Sequence, residues 1–334
     1  MNAIKPPTGP TPREDTWGLW GFVLGGALPS DRLVIGDAEI VRLSAAELGH
    51  VLAKSRVRPY MSGIRIGYQV LPSAVHVYSE WVVRWTVRSR SSEVAEEEVL
   101  RGQLPRLLAA LNSLPGAPYR IQMMRVGRVD IERQRISEER SFWFGGTVGF
   151  GPDVKSLHCN DSRLLEAAWK ALNERPDVWE HARHYQDAII LADLRAGSPA
   201  AMAAAPLTSI HRFSEGVVDH VLKSEPRRVR EQPFRDRIRA AVRRLDASDL
   251  EEELIAFYSF RNEYFAHSGL HMDDAIAHEW TGRATTACRQ LLHAWISKLS
   301  GTSTDYIPID DPSREVLADG SQSYPVTAKW PRLD

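Results

Sequence analysis

The chain changes character at Gly151-Pro152. Before that point apolar residues alternate with polar ones, and after it they recur every three to four positions. A period of two suits strands and a period near 3.6 suits helices, so the two halves call for different kinds of layer. In the first half the clearest alternation covers residues 75–87, where Val75, Val77, Trp81, Val83, Trp85 and Val87 share one parity and His76, Glu80, Arg84 and Thr86 the other. One face of that strand is buried and the other is wet. Residues 17–24 have the same texture, and residues 32–43 carry a tight-turn signal at Gly36-Asp37 that predicts a hairpin. Residues 93–111 interrupt with helical spacing through Val94, Leu100, Leu104, Leu107, Leu108 and Leu111, with Gly102 and Pro105 as points of break or kink. Residues 119–131 and 141–150 are extended again. Residues 17–150 therefore read as an α+β domain with few helices and a mostly antiparallel sheet.

The second half reads as an all-α helical bundle over residues 151–300. Asn160 or Asp161 caps a helix through Leu164, Leu165, Ala168, Trp169 and Leu172, and Pro176 opens the next at its first position. Gly197-Ser198-Pro199 breaks the chain. Further helices are predicted over residues 209–222, 233–245, 250–267 and 273–299. Residues 1–16 are rich in Pro, Thr and charge and read as a disordered tail, and residues 301–334, with four prolines and little periodicity, as an extended one.

Composition narrows the class of protein. An apolar fraction of 43% in 334 residues supports real cores, and the net charge of −1 argues against any global attraction to nucleic acid or anionic membrane. Cys159 and Cys288 are too far apart to suggest a disulfide framework or a zinc pattern, which points to a reducing compartment. The N-terminus has no apolar targeting core, and no window reaches 18 uninterrupted apolar residues, so a cytoplasmic protein without membrane contact is expected.

Chemistry concentrates in Phe260-Arg261-Asn262-Glu263-Tyr264-Phe265-Ala266-His267-Ser268-Gly269, at the end of a predicted helix. Arginine is a permanent cation that can hold phosphate oxygens, and histidine can take or give a proton near neutrality. On a straight helix Arg261 and His267 point roughly 120° apart, whereas Glu263 and His267 are neighbours at i, i+4. The two catalytic-type groups therefore converge through a helix end, a kink or a second copy. A purely structural role fits the same residues: Arg261 and Asn262 can brace the bundle, and His267 suits a helix C-terminus.

Residues 160–300 resemble a HEPN domain, and Arg261-Asn262 followed by Ala266-His267 and Gly269 resembles the Arg-Asn then Ala-His-Gly pattern of its Apea-like branch. The resemblance implies a metal-independent endoribonuclease without cofactor, in which Arg261, Asn262 and His267 are catalytic, with Glu263 and His271 supporting them. It further implies attack by the ribose 2′-OH to leave a 2′,3′-cyclic phosphate, and a homodimer that brings two motifs face to face. In bacteria it implies a toxin or anti-phage effector acting by abortive infection, with the N-terminal domain sensing a phage or host trigger. Some relatives are catalytically silent modules that only dimerise or bind RNA or nucleotide, and that alternative stands beside the first.

Four other features carry weaker signals. Residues 223–244 hold nine Lys or Arg against three acids, with Arg235, Arg239 and Arg243 on one helical stripe that can follow an RNA backbone. His181, His184 and Asp187 form a stripe at i, i+3, i+6 that resembles a metal site but lacks a base, and the reading assigns no metal. His271, Asp274 and His278 share a face in the same way. The ten tryptophans fit apolar faces and read as core rather than as base-stacking platforms.

Overall fold

The computed structural model describes residues 14–24, 28, 30–43, 81–114, 119–130, 135–142, 157–158, 162–193, 199–264 and 274–302, and three short strands at 307–308, 315–316 and 322–323. Residues 1–13, 75–80 and 143–156, Cys159, and His267 with its flanking residues 265–273 lie outside the described residues, as does most of 301–334.

Six strands form one antiparallel sheet: β1 (Asp15–Leu24), β2 (Arg32–Ile35), β3 (Ala38–Arg42), β4 (Trp81–Ser89), β5 (Arg120–Asp130) and β6 (Arg135–Phe142), in the spatial order β2-β3-β4-β1-β5-β6. The predicted hairpin is present, with Ile35 opposite Ala38 and Gly36 at φ +59, a backbone state that glycine adopts without steric cost. In β4 the expected parity holds from Val83 onward, where Val83, Trp85 and Val87 are buried while Arg84, Thr86 and Arg88 are exposed, whereas Val82 is buried on the opposite face against Phe22. Leu19 and Trp17 of β1 stand opposite Trp85 and Val87, which extends the apolar face across the neighbouring strand.

That face is covered by a long helix in three parts: α1 (Ser92–Glu97), a π turn (Glu98–Gln103) and α2 (Leu104–Asn112). The sequence predicts a break at Gly102 and Pro105, and the chain resolves it by widening. A π turn shifts the hydrogen-bond pattern just ahead of Pro105, so the missing N–H falls in the first turn of α2, where it has least to lose. The Arg106 guanidinium covers the Gly102 carbonyl at 2.8 Å.

The second half is helical: α3 (Ser162–Glu174), α4 (Pro176–Asp193), α5 (Pro199–Val221), α6 (Arg227–Arg230), α7 (Phe234–Arg244), α8 (Glu251–Tyr264) and α9 (Asp274–Ser300). Helix α5 begins ten residues before the predicted Ser209, because Pro199 starts it and the alanine-rich run continues it through the internal Pro206. The C-terminal residues include a strand, β8 (Ile307–Pro308), that pairs with β7 (Leu157–His158), and a β9 (Glu315–Val316) to β10 (Gln322–Ser323) pair.

The apolar core runs without interruption from Trp17 and Trp85 of the sheet through Leu107 and Leu111 of α2 to Phe213, Leu291 and Trp295 of the bundle. Helix α1 packs on β1, β4 and β5, while α2 packs on α3 and α4. The buried C-terminal end of α2 is satisfied from the bundle: His293 Nδ1 lies 2.7 Å from the Ser113 carbonyl oxygen, and Arg289 donates to that of Leu114 at 3.1 Å. No helix among the described residues is long and apolar enough to cross a membrane.

Candidate active site

Helix α8 positions the Arg-Asn pair. Its first turn carries Glu251, Glu252 and Glu253, which suit the positive end of the helix dipole, and Arg261 lies in the last turn, where a cation is favoured. Leu254, Phe257 and Phe260 are buried at steps of three and anchor the helix to the core, leaving Arg261 and Asn262 half-exposed and Glu263 exposed. The Arg261 guanidinium donates from Nη1 to Asn262 Oδ1 at 3.1 Å, so the two neighbours act as one unit.

The end of α8 is pinned to α9 by a layer of rings. Phe260 stacks on Trp280 with centroids 4.5 Å apart and planes at 11°, and Tyr264 packs on Phe260 at 4.6 Å. Arg283 lies over Trp280 at 4.3 Å and is held by Glu253 and Glu279. These contacts occupy Trp280 and leave it a structural ring rather than a platform for a nucleobase.

Within range of the Arg261 charge lies a pair on α5 outside the sequence motif. His211, 3% exposed, sits among Phe234, Phe257 and Tyr258, at 6.1 to 6.3 Å between ring centroids. Its Nε2 reaches Glu215 Oε1 at 3.2 Å, one helical turn on. A carboxylate oxygen only accepts, so Nε2 carries the hydrogen. The His211 hydrogen bond holds the Glu215 carboxyl below its ordinary range against the opposing effect of burial, and the charges of Arg261 and Arg237 act in the same direction. Arg237 also pairs with Asp219. The available signal was a His-x-x-x-Glu step at i, i+4 on a mostly apolar helix.

The other expected site residues are distributed unevenly. His267 and His271 lie outside the described residues, so the structure places the arginine half of the motif only. Of the basic stripe on α7, Arg239 is clamped between Asp236 at 2.8 Å and Glu251 at 3.0 Å. Arg235 donates to the neutral Ser259 hydroxyl at 2.9 Å, and Arg243 is exposed with no ion pair to a described residue. His181 turns inward toward Gly216, Trp295 and His220 rather than out along its stripe. Among the described residues no three His, Cys, Asp or Glu side chains are placed to hold a metal. The side chains of 271, 274 and 278 lie outside the described residues. Cys288 is a free, fully buried thiol whose pKa is pushed well up by burial, which leaves it inert.

No family profile, curated protein or solved structure matches this chain.

Proposed function

We propose that the protein is a metal-independent endoribonuclease of HEPN type that works as a homodimer. The observation that carries the reading is the Arg261-Asn262 unit, half-exposed at the last turn of α8, facing Glu215 and immediately preceding the segment that holds His267. In the proposed reaction His267 removes the proton from a ribose 2′-OH, which attacks the adjacent phosphorus. The 5′-oxygen leaves with a proton from the His267 of the second copy, and a 2′,3′-cyclic phosphate remains. Arg261 stabilises the charge that grows on the phosphorane oxygens, Asn262 orients it, and Glu263 and His271 support the histidine. Arg235 and Arg243 are the cations left to follow the RNA backbone. In this reading the sheet half restrains or triggers the nuclease in response to a phage or host signal, and the protein acts in the cytoplasm as an anti-phage toxin.

A second reading is favoured by two observations: the charge of Arg261 acts on Glu215, and Arg239 is neutralised by two acids, which suits a brace as well as a catalyst. On that reading the helical half is a silent dimerisation or RNA- or nucleotide-binding module. The two separate in a cleavage assay with wild type, Arg261→Ala and His267→Ala, each with and without EDTA. Cyclic-phosphate ends that resist EDTA and vanish in both variants support the nuclease. Binding of RNA without cleavage, with the same dimer in all three proteins, supports the silent module.

A further inference from the structure

The C-terminal turns of α5, α7 and α9 converge on a cleft of about 420 Å3 whose polar lining is His220, Arg244, Trp295 and Lys298. Along α9, Trp295 stands fifteen residues beyond Trp280, about 22 Å at the rise of a helix, so this cleft is remote from Arg261. Its size falls within the range of small-molecule pockets.

The lining is rich in donors. Arg244 reaches the Ser224 hydroxyl at 3.4 Å and pairs with Glu225, while Lys298 pairs with Asp246 at 2.8 Å. The Asp246 side chain is 79% exposed, so that pair is screened by water and readily exchanged for another anion. Arg175 Nη2 lies 3.3 Å from His220 Nε2, and His220 Nδ1 faces Asp177 at 3.6 Å. Because a guanidinium only donates, Nε2 carries the lone pair and His220 is neutral. With Lys223 acting on His220 as well, four cations surround the cleft against the three acids Asp177, Glu225 and Asp246. Cations near helix C-termini also answer the helix dipoles, but dipoles do not account for the indole of Trp295. That residue is 1% exposed, and its Nε1–H has no acceptor among the described residues. A buried donor left without a partner is costly, and an acceptor atom of a ligand would complete it. Val221, Leu245 and Leu299 supply an apolar side to the same cleft.

We propose that this cleft binds a small phosphomonoester. The phosphate lies between Arg244 and Lys298, whose donors suit a tetrahedral dianion. The organic part rests on Val221, Leu245 and Leu299, and one of its acceptors meets the Trp295 indole. The inference is independent of the nuclease reading.

Calorimetric titration of the full chain with AMP tests it, with inorganic phosphate and adenosine as separate arms. AMP should bind saturably, more tightly than phosphate, and adenosine should bind least. Arg244→Gln combined with Lys298→Gln should weaken AMP by at least about tenfold, equivalent to the loss of about one charge-assisted hydrogen bond. Trp295→Phe, which keeps the ring and removes the donor, should weaken it by a smaller factor. The proposal is overturned if AMP gives no saturable heat at millimolar concentration, if inorganic phosphate binds as tightly as AMP, or if a correctly folded double variant binds AMP as well as wild type.

Discussion

His293 of α9 donates its Nδ1 hydrogen to the Ser113 carbonyl oxygen at the end of α2, 2.7 Å away, and so ties the helical half to the helix that covers the sheet. The carbonyl only accepts, which fixes the tautomer. Four residues earlier on α9, Arg289 serves the next carbonyl of α2. Replacing His293 by Phe keeps most of the packing but strands that buried carbonyl, at an expected cost of about 1–3 kcal/mol. Urea denaturation checks this, and an unchanged midpoint would show that water takes over the bond.

Helix α4 lies close against α5 at Gly216, where an added Cβ would lie 2.3 Å from His181 Nδ1. Gly216→Ala should therefore destabilise by about 1–3 kcal/mol through overpacking. In α9 an added Cβ at Gly282 meets nothing within 4 Å, so Gly282→Ala should stabilise by about 0.5–1 kcal/mol. Gly301 ends α9 at φ +64, and alanine there should cost about 1 kcal/mol from the backbone conformation alone. Thermal melts of the three variants should fall on opposite sides of wild type in that pattern.

Acid sensitivity should begin with histidines. Burial is the leading reason that His181, His184, His220 and His293 are all held below the ordinary histidine value. The unfolded chain then binds more protons than the folded one as pH drops through about 6.5, so stability falls on acidification. Glu39, Glu215 and Glu253 are held below the carboxylate range by Arg84, His211 and Arg283 respectively, and their contribution is lost only at lower pH, below about 4.5. Melting temperature should decline between about pH 7.5 and about pH 5.5 and steepen again below about 4.5; a flat profile in the first interval contradicts the histidine assignment.

If the protein cleaves RNA, Arg261→Ala should reduce the rate by about 10²–10³-fold, the usual cost of losing one group that stabilises developing charge. Glu215→Gln removes the carboxylate facing Arg261 without changing its shape, and should reduce the rate by up to about 10²-fold through misplacement. Single-turnover kinetics on both variants, with a melt to confirm folding, separates these effects from loss of structure.

RNA affinity should depend on Arg243 and not on Arg239. Removing Arg243 should lower the slope of affinity against salt by about one phosphate contact, while Arg239→Ala should leave it nearly unchanged, because Arg239 is already neutralised. Filter binding across a salt series distinguishes the two.

Much of the architecture was legible because it is local. The parity of Val83, Trp85 and Val87, the Gly36-Asp37 turn and the opening of α4 at Pro176 each depend on a few adjacent residues. Misreadings arose where a local rule met a larger context. Pro105, expected to break or kink its helix, is absorbed by a π turn, and α5, expected over residues 209–222, starts at Pro199 and carries Pro206 in its interior.

The candidate site divides along the same line. Periodicity and residue type alone placed Arg261 and Asn262 at the end of a helix. That Glu215, nearly fifty residues upstream and bonded to His211, feels the charge of Arg261 was decided by how α5 packs on α8, and the neutralisation of Arg239 by Glu251 was decided by how α7 packs on α8. Spacing along one helix dictates which residues share a face, whereas the partner of that face follows from how all the apolar faces bury one another at once, and only the folded chain carries that information.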